Sequence, residues 1–222
     1  MKKLLLASAG ILSLCAGAFS ANAADLPRRL PAKAPAYVAP LAYNWTGLYV
    51  GINGGGGFGR SDFSGPAFPA AFNTSGGLVG GTLGYNWQAQ GSPFVFGLET
   101  DLDWSGIKGS GACGVTTCST SNTYLGTFRG RVGYAWDRVM PYITGGLAYG
   151  NINTNVAGFG TGSSTRAGWT LGGGLEFAIA GPWTAKVEYL YVDLGRGGGI
   201  PALAGDAKFQ ANVVRAGLNY RF

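Results

Sequence analysis

The chain has 222 residues, of which 12% are charged and 13% aromatic; it contains 41 glycines and no histidine. An ordinary soluble domain carries roughly 25% charged residues, and a disordered chain lacks aromatic residues, so the composition argues against both. The formal net charge of +6 includes Lys2 and Lys3, which belong to a segment we expect to be removed. The remaining basic excess is small and scattered, so we predict no nucleic-acid partner.

The first 23 residues are typical of a secretory signal peptide. Lys2 and Lys3 precede an apolar stretch, residues 4–19, and the small-residue cleavage site Ala21-Asn22-Ala23 follows. A lipoprotein site at Cys15 is disfavoured because Leu14 stands where a small residue is needed. After cleavage no segment has the roughly 18 apolar residues of a spanning helix, so any membrane crossing must use strands.

Residues 24–45 are predicted to form a linker. The segment contains four prolines and three basic residues and lacks the apolar pattern of a core. Such a composition favours an extended chain.

From Thr46 onward the chain divides into eight runs long enough for tilted membrane strands, which need about 9–11 residues. The predicted strands are 46–59, 77–88, 93–105, 124–136, 139–150, 166–179, 182–194 and 209–222.

The predicted connections alternate between long and short. Residues 60–76, 106–123, 151–165 and 195–208 are long and rich in Gly, Ser, Thr and Asn, whereas 89–92, 137–138 and 180–181 are tight. The fold class predicted is therefore all-β, a closed eight-stranded antiparallel transmembrane β-barrel over residues 46–222, with four long extracellular loops and short periplasmic turns. An even strand number puts the linker on the periplasmic side.

The last predicted strand alternates apolar and polar residues up to the terminal Phe222. Val214, Leu218 and Tyr220 fall on one face, whereas Arg215 and Arg221 fall on the other. In a membrane barrel the first face meets lipid and the second meets the lumen. We expect this strand to close the barrel by pairing with the first one.

Tryptophans fall at the ends of the predicted strands. In a membrane barrel, aromatic residues form two girdles at the lipid–water interfaces. The predicted periplasmic girdle contains Trp45, Trp87, Trp136 and Trp183, and the outer girdle contains Trp104 and Trp169.

The complementary faces of the strands carry acids and bases toward the predicted lumen. Lipid-facing charges would cost roughly 2–4 kcal/mol for Arg or Lys at mid-depth, so an inner position favours them. The predicted lumen charges are Glu99, Asp101, Asp103, Arg129, Arg131, Glu176, Lys186, Glu188 and Arg215.

Two interpretations of this lumen remain open. An eight-stranded barrel is just wide enough for its side chains to fill, which favours a structural polar plug and argues against a diffusion pore. A narrow ion path or gate is the alternative. It is favoured by glycines on the inner face, which would leave space: Gly97, Gly133, Gly146, Gly172 and Gly174.

Catalysis is not predicted. Glu99, Asp101 and Asp103 are spaced closely enough to suggest paired catalytic carboxylates, but their alternation with apolar residues and the arginines opposite favour ion pairing. Without histidine there is no standard serine triad, and no cofactor motif is present, because the glycine runs are not followed by the Lys-Ser/Thr of a phosphate loop.

Two cysteines, Cys113 and Cys118, remain after signal removal. In an exported chain a closely spaced pair is most simply a disulfide, here within the predicted loop 106–123. Metal binding is disfavoured, since two thiols without histidine make an incomplete ligand set.

Several segments together resemble the small outer-membrane proteins of alphaproteobacteria, the family of outer-membrane immunogenic proteins also called the porin family. The segments are the ANAAD cleavage region, NWTGLYVGINGGGGFG (Asn44–Gly59), RGRVGYAWDRVMPYITGGLAYG (Arg129–Gly150), GWTLGGGLEFAI (Gly168–Ile179) and the terminal VRAGLNYRF. The resemblance implies an OmpA-type barrel in the outer membrane of a Gram-negative bacterium. It also implies that Phe222 is an insertion signal for the barrel-insertion machinery, and that lipid and lipopolysaccharide are partners.

The resemblance further suggests a covalent link to peptidoglycan. Related barrels that begin Ala-Asp after signal removal are joined to peptidoglycan through the alanine, and cleavage after Ala23 would expose Ala24-Asp25 here. The alternative is a plain spacer. Three functions follow as hypotheses: a structural, surface-displayed barrel, a small channel, or a surface-loop binding module.

Overall fold

The computed structural model describes residues 43–64, 70–113, 116–158, 160–200 and 205–222. The predicted signal peptide, Ala24, Asp25 and the linker up to residue 42 lie outside these ranges.

Eight long strands account for most of the described chain. They are β1 Gly47–Ser64, β2 Ala70–Gln88, β3 Phe94–Cys113, β4 Thr116–Tyr134, β5 Val139–Val156, β6 Gly160–Ala180, β7 Trp183–Ile200 and β8 Gly205–Arg221.

The strands form one closed antiparallel barrel in chain order. β1 pairs with β8, with Ile52 opposite Leu218 and Gly51 opposite Asn219. The predicted closure of the last strand on the first is therefore confirmed, and closure satisfies the backbone groups that a sheet edge would leave unpaired. None of the described residues forms a helix long and apolar enough to cross a membrane.

The strands extend well beyond their predicted outer ends. Most of the four segments expected to be loops continues the hairpins; β5, for example, runs to Val156 instead of ending at residue 150. The three short turns between β2 and β3, β4 and β5, and β6 and β7 lie where they were predicted. The extended strands form because polar and apolar residues still alternate there. In these outer parts the apolar residues face the barrel interior and the polar residues face outward.

This exchange of faces is clear along β5. Near its start Ile143 points outward and is 68% exposed, while its neighbour Thr144 is buried. Near its end Ile152 is fully buried, and the adjacent Asn151 and Asn153 point outward. An apolar exterior suits lipid, whereas a polar exterior around an apolar core suits water.

The barrel thus has two zones. The first, which we call the membrane zone, has an apolar outer surface. The second, which we call the outer extension, has a polar outer surface and comprises the described residues of 59–64, 70–76, 105–113, 116–123, 150–158, 160–168, 192–200 and 205–212.

Candidate functional site

The interior of the membrane zone contains a network of charged side chains. All nine predicted lumen charges are buried inside the barrel and take part in it. They comprise five carboxylates and four cations.

Arg129 on β4 is the centre of this network and is fully buried. Its guanidinium contacts Glu99, lies 2.8 Å from Asp101 and lies 2.9 Å from Glu188, and its Nε donates to Thr127 at 2.9 Å. A bidentate, planar guanidinium suits this role because it reaches several carboxylates from one fixed plane.

Two further cations meet at Glu99. Lys186 Nζ donates to both Glu99 oxygens at 2.9 and 2.8 Å. Arg131 lies 3.4 Å from Glu99 and contacts Glu176 with its other terminal nitrogen. With Arg129 included, the carboxylate therefore contacts three cations from two strands, β4 and β7.

Arg215 on β8 connects the remaining acids. It lies 2.7 Å from Asp101, 2.7 Å from Asp103 and 2.8 Å from Glu188. Every arginine of the network thus contacts at least two carboxylates, which is the condition under which buried charge is tolerated.

Strand register explains part of this arrangement. Glu99 lies directly opposite Arg129, and Glu188 lies directly opposite Arg215. Opposite charges at directly facing positions stabilise a sheet. Lys186 faces Glu176 in the register, yet its side chain crosses the lumen to Glu99.

Neutral side chains complete the network, and the sequence analysis did not identify them. Tyr49 donates to Glu99 at 2.7 Å, Tyr142 to Glu188 at 3.1 Å, Thr127 to Asp101 at 2.8 Å and Thr184 to Glu176 at 2.6 Å. Thr127 and Thr184 stand two residues before Arg129 and Lys186 on the same strands, so the same alternation could have found them, whereas Tyr49 and Tyr142 lie on strands that carry none of the nine lumen charges.

A small apolar cluster lies below the network, at the periplasmic end. It consists of Trp45, Val95, Met140 and Ala178. Trp45 is only 1% exposed; its indole donates to the carbonyl of Asp137 at 3.2 Å, and its backbone N–H donates to Gln88 at 2.9 Å. The prediction that Trp45 belongs to the lipid-facing girdle is therefore wrong, because the residue precedes β1 and folds inward across the barrel end.

Arg221 also differs from its predicted lumen position. It lies at the periplasmic mouth, where its guanidinium stacks 4.4 Å from the ring centroid of Tyr43 and contacts the carbonyl of Asn44. Partial burial raises the pKa of Tyr43, and the Arg221 charge opposes that rise. Both residues help to hold the chain that leads into β1.

A larger apolar core lies above the network, in the outer extension and the adjoining end of the membrane zone. Its buried members are Phe72, Leu78, Ile107, Cys113, Cys118, Leu125, Ala148, Ile152, Val156, Leu190, Val192, Leu194, Phe209, Ala211 and Val213. Cys113 and Cys118 form a disulfide within this core, at the end of the β3–β4 hairpin. The bond joins two strands rather than pinning an irregular loop.

The inner glycines do not leave the free space that a channel would need. A Cβ on Gly97 would lie 2.8 Å from Arg131, one on Gly133 would lie 2.9 Å from Met140, and one on Gly174 would lie 2.8 Å from the Tyr142 hydroxyl. Large side chains already occupy the volume that these glycines release.

The other predicted aromatic and terminal residues point outward. The side chains of Trp87, Trp104, Trp136, Trp169 and Trp183 are 48% to 77% exposed, and Phe222 is 73% exposed. The described residues contain no group of three or more Cys, Asp or Glu side chains arranged to hold a metal ion.

These features define a transmembrane β-barrel of the Gram-negative outer membrane, with a lipid-facing belt and a charged, side-chain-filled interior. A family model described as the outer membrane protein beta-barrel domain matches residues 11–222, and the chain belongs to that family.

Curated relatives agree with this assignment. The chain is 39% identical over 246 residues to the 31 kDa outer-membrane immunogenic protein of Brucella melitensis, covering 100% of both chains. It is 32% identical over 225 residues to the 25 kDa outer-membrane immunogenic protein of Brucella abortus, covering 100% of this chain and 99% of the relative. Among solved structures, the outer membrane protein OprG of Pseudomonas aeruginosa aligns with a TM-score of 0.46 and 15% identity, covering 80% of this chain and 96% of that one.

Proposed function

We propose that the protein is a structural component of the outer membrane that strengthens the envelope and carries a rigid hydrophilic extension on the cell surface. The observation that carries this proposal is the layered interior. A network of nine buried charges lies between the apolar cluster around Trp45 and the apolar core around Ile152.

This layering disfavours the channel hypothesis. An ion that crossed the barrel would have to displace arginine–carboxylate contacts of 2.7–2.9 Å and then pass an apolar layer on each side. Removing one partner of a buried ion pair costs roughly 3–5 kcal/mol, and apolar constrictions exclude water. The packed interior suits mechanical stability instead.

Conductance in planar bilayers tests the proposal. We expect the refolded mature protein to give no reproducible current steps, under conditions in which a 16-stranded porin inserted in the same way conducts. A deletion strain should become more sensitive to EDTA and detergent, and the wild-type chain should restore resistance. Reproducible conductance steps, or a deletion strain with an unchanged envelope, would contradict a purely structural role.

We further propose that the mature N-terminus is joined to peptidoglycan through Ala24. Support comes from the Ala24-Asp25 start and from the position of Tyr43 and Trp45 at the periplasmic mouth of the barrel. Mass spectrometry of lysozyme-digested sacculi should recover Ala24 carrying a muropeptide. A free amino group on all of the mature protein would refute the link.

Phe222 is proposed to be recognised by the barrel-insertion machinery during assembly. It is the exposed last residue of the chain, directly after β8, and is accessible until the barrel enters lipid. Phe222→Ala should reduce the amount of folded barrel in the membrane without changing the stability of the fraction that folds.

Since the Brucella relatives are named immunogenic, we also expect the outer extension to carry antibody epitopes.

A further inference from the structure

The pairing of β6 with β7 ends early in the outer extension. β6 stays paired with β5 as far as Gly160, and β7 stays paired with β8 as far as Ile200. Between β6 and β7, the outermost pair of described residues is Trp169 with Asp193. Residues 160–168, which we call the β6 edge, therefore continue into the extension with β5 on one side and no paired strand on the other.

A β-bulge in β7 explains why the two strands separate. The register of β7 with β8 shifts between Asp193 and Arg196. Gly195, inside this shift, has a φ of +69° in the sequence region of the bulge, and its N–H donates to the Asp193 carboxylate at 2.8 Å. Glycine adopts this left-handed conformation without strain, and a bulge bends its strand. β7 therefore bends directly above its last pair with β6.

Burial along β6 shows that this edge is uncovered. None of its residues is buried. Arg166 lies opposite the buried Gly150 of β5 and shares its inner face, yet Arg166 is exposed. The next inner position of β5, Ile152, is fully buried, whereas its partner Ser164 is only half-buried. The inner face of β5 is thus covered, and that of β6 is open on the β7 side.

A second early end, between β2 and β3, is closed by packing. The outermost pair of these strands is Ser75 with Lys108. Just above it the strands remain in contact, because a Cβ on Gly109 would lie 2.2 Å from the carbonyl oxygen of Asn73. On the β6 edge, by contrast, a Cβ on Gly160 would meet nothing within 4 Å. The β6 edge is the more accessible of the two.

The strands on both sides of this opening are basic. The β6 edge and the part of β7 above Asp193 carry one arginine each, Arg166 and Arg196, and no acidic residue. Both side chains are exposed, and neither has an ion-pair partner within the described ranges. Asp193, at the base of the opening, is already paired with Lys208 at 3.5 Å. The opening therefore offers unpaired positive charge.

We propose that the β6 edge binds an extended, acidic segment of a partner polypeptide, which pairs with it as an additional strand. An unpaired edge presents a row of N–H and C=O groups, and strand addition is the way such an edge binds a peptide. The β6 edge contains no proline and spans about 30 Å at roughly 3.3 Å per residue, enough for a stable ladder. The two arginines select acidic side chains.

The position of the edge places this partner outside the membrane. Exposed Trp169, at its base, belongs to the outer aromatic girdle that marks the lipid–water interface. A second copy of the chain is disfavoured as the partner, because pairing of two β6 edges would bring two basic strands together. An acidic segment exposed at the cell surface fits the edge in both hydrogen bonding and charge.

Binding of a labelled acidic peptide tests this inference. The probe repeats Glu-Val four times and is titrated, by fluorescence anisotropy, against the full mature barrel refolded in detergent. Two further peptides carry N-methyl groups on alternate backbone amides, one on each alternate set. An added strand turns only every second N–H toward the edge. One methylated peptide should therefore bind like the parent, and the other should bind roughly tenfold more weakly or worse.

Arg166→Glu tests the contribution of charge. Because Arg166 is exposed and unpaired among the described residues, the variant should unfold like the wild type. Its affinity for the parent peptide should fall roughly five- to tenfold. The matched control is Lys108→Glu, which reverses an exposed charge on β3, three strands away from β6. It should bind the peptide like the wild type.

Several outcomes would overturn the proposal. They are no measurable binding of the parent peptide, equal binding of all three acidic peptides, equal binding of a Lys-Val repeat, or an equal loss in both variants. A wild-type dimer that the acidic peptide dissociates would also overturn it, since a second copy would then occupy the edge. The conductance and envelope assays do not involve this edge, so the proposal stands or fails separately from the structural role.

Discussion

Arg215 on β8 lies 2.7 Å from Asp101 on β3, although 114 residues separate them in the chain and two strands stand between them in the sheet. The contact crosses the interior of the barrel. It shows that the charged network ties non-neighbouring strands together, in addition to the hydrogen bonds that join adjacent ones.

Removing the centre of the network should destabilise the barrel strongly. Arg129→Ala would leave Glu99, Asp101 and Glu188 without their shared guanidinium, so we expect a loss of about 3–5 kcal/mol in the free energy of unfolding. Urea unfolding in detergent micelles, followed by gel mobility and tryptophan fluorescence, measures this loss. The control is Arg60→Ala, whose exposed ion pair with Asp62 should contribute at most about 1 kcal/mol. Equal losses in both variants would show that the network is not stabilising.

The tryptophans should divide into two classes in lipid. Trp45 is 1% exposed, whereas Trp136 is 77% exposed on the outer surface. In variants that each keep one tryptophan, brominated lipids should quench Trp136 and leave Trp45 unaffected, because only the former faces the bilayer. Quenching of Trp45 to the level of Trp136 would contradict its position inside the barrel end.

The outer extension should behave like the core of a water-soluble domain. Ile152→Ala removes a fully buried side chain from its core and should cost roughly 2–5 kcal/mol. Ile143→Ala lies on the same strand but faces lipid, where acyl chains or detergent refill the space, so its cost should be clearly smaller. The same unfolding assay compares the two variants. A larger effect at Ile143 would refute the exchange of faces along β5.

Packing around the inner glycines should be intolerant of added volume. A Cβ on Gly84 would collide with the ring of Tyr49, which donates to Glu99 and accepts from Arg131 at 3.0 Å. We expect Gly84→Ala to cost about 1–3 kcal/mol, the usual range for an overpacked core. Gly130→Ala is the control, because its Cβ would meet only a backbone oxygen at 4.0 Å. A neutral Gly84→Ala would indicate a lumen with spare room.

Much of the architecture follows from alternation along the sequence. A period of two assigns each side chain to one face. The nine lumen charges, of which Glu99 is the first and Arg215 the last, could therefore be placed inside a barrel without knowing their partners. The same pattern in 209–222 predicted the closing strand. Alternation along single strands also predicted the lipid-facing position of Trp104 and Trp136.

Other features depend on contacts between distant segments. Trp45 precedes the first strand, so no periodicity constrains it, and only the folded barrel end provides the apolar space that it enters. The segments predicted as loops are rich in turn-forming residues, and that composition obscured the alternation of Asn151, Ile152 and Asn153.

The sequence by itself determined the strand number, the closure and the inner position of the charges, because these follow from local period and length. Only the tertiary structure decided which charges meet. Side chains as long as Lys186 and Arg215 reach across the lumen, so their partners are set by barrel diameter and strand stagger. The tertiary structure also decided that the polar layer lies between two apolar ones. Each layer is formed by side chains that the eight strands place at the same height along the barrel axis.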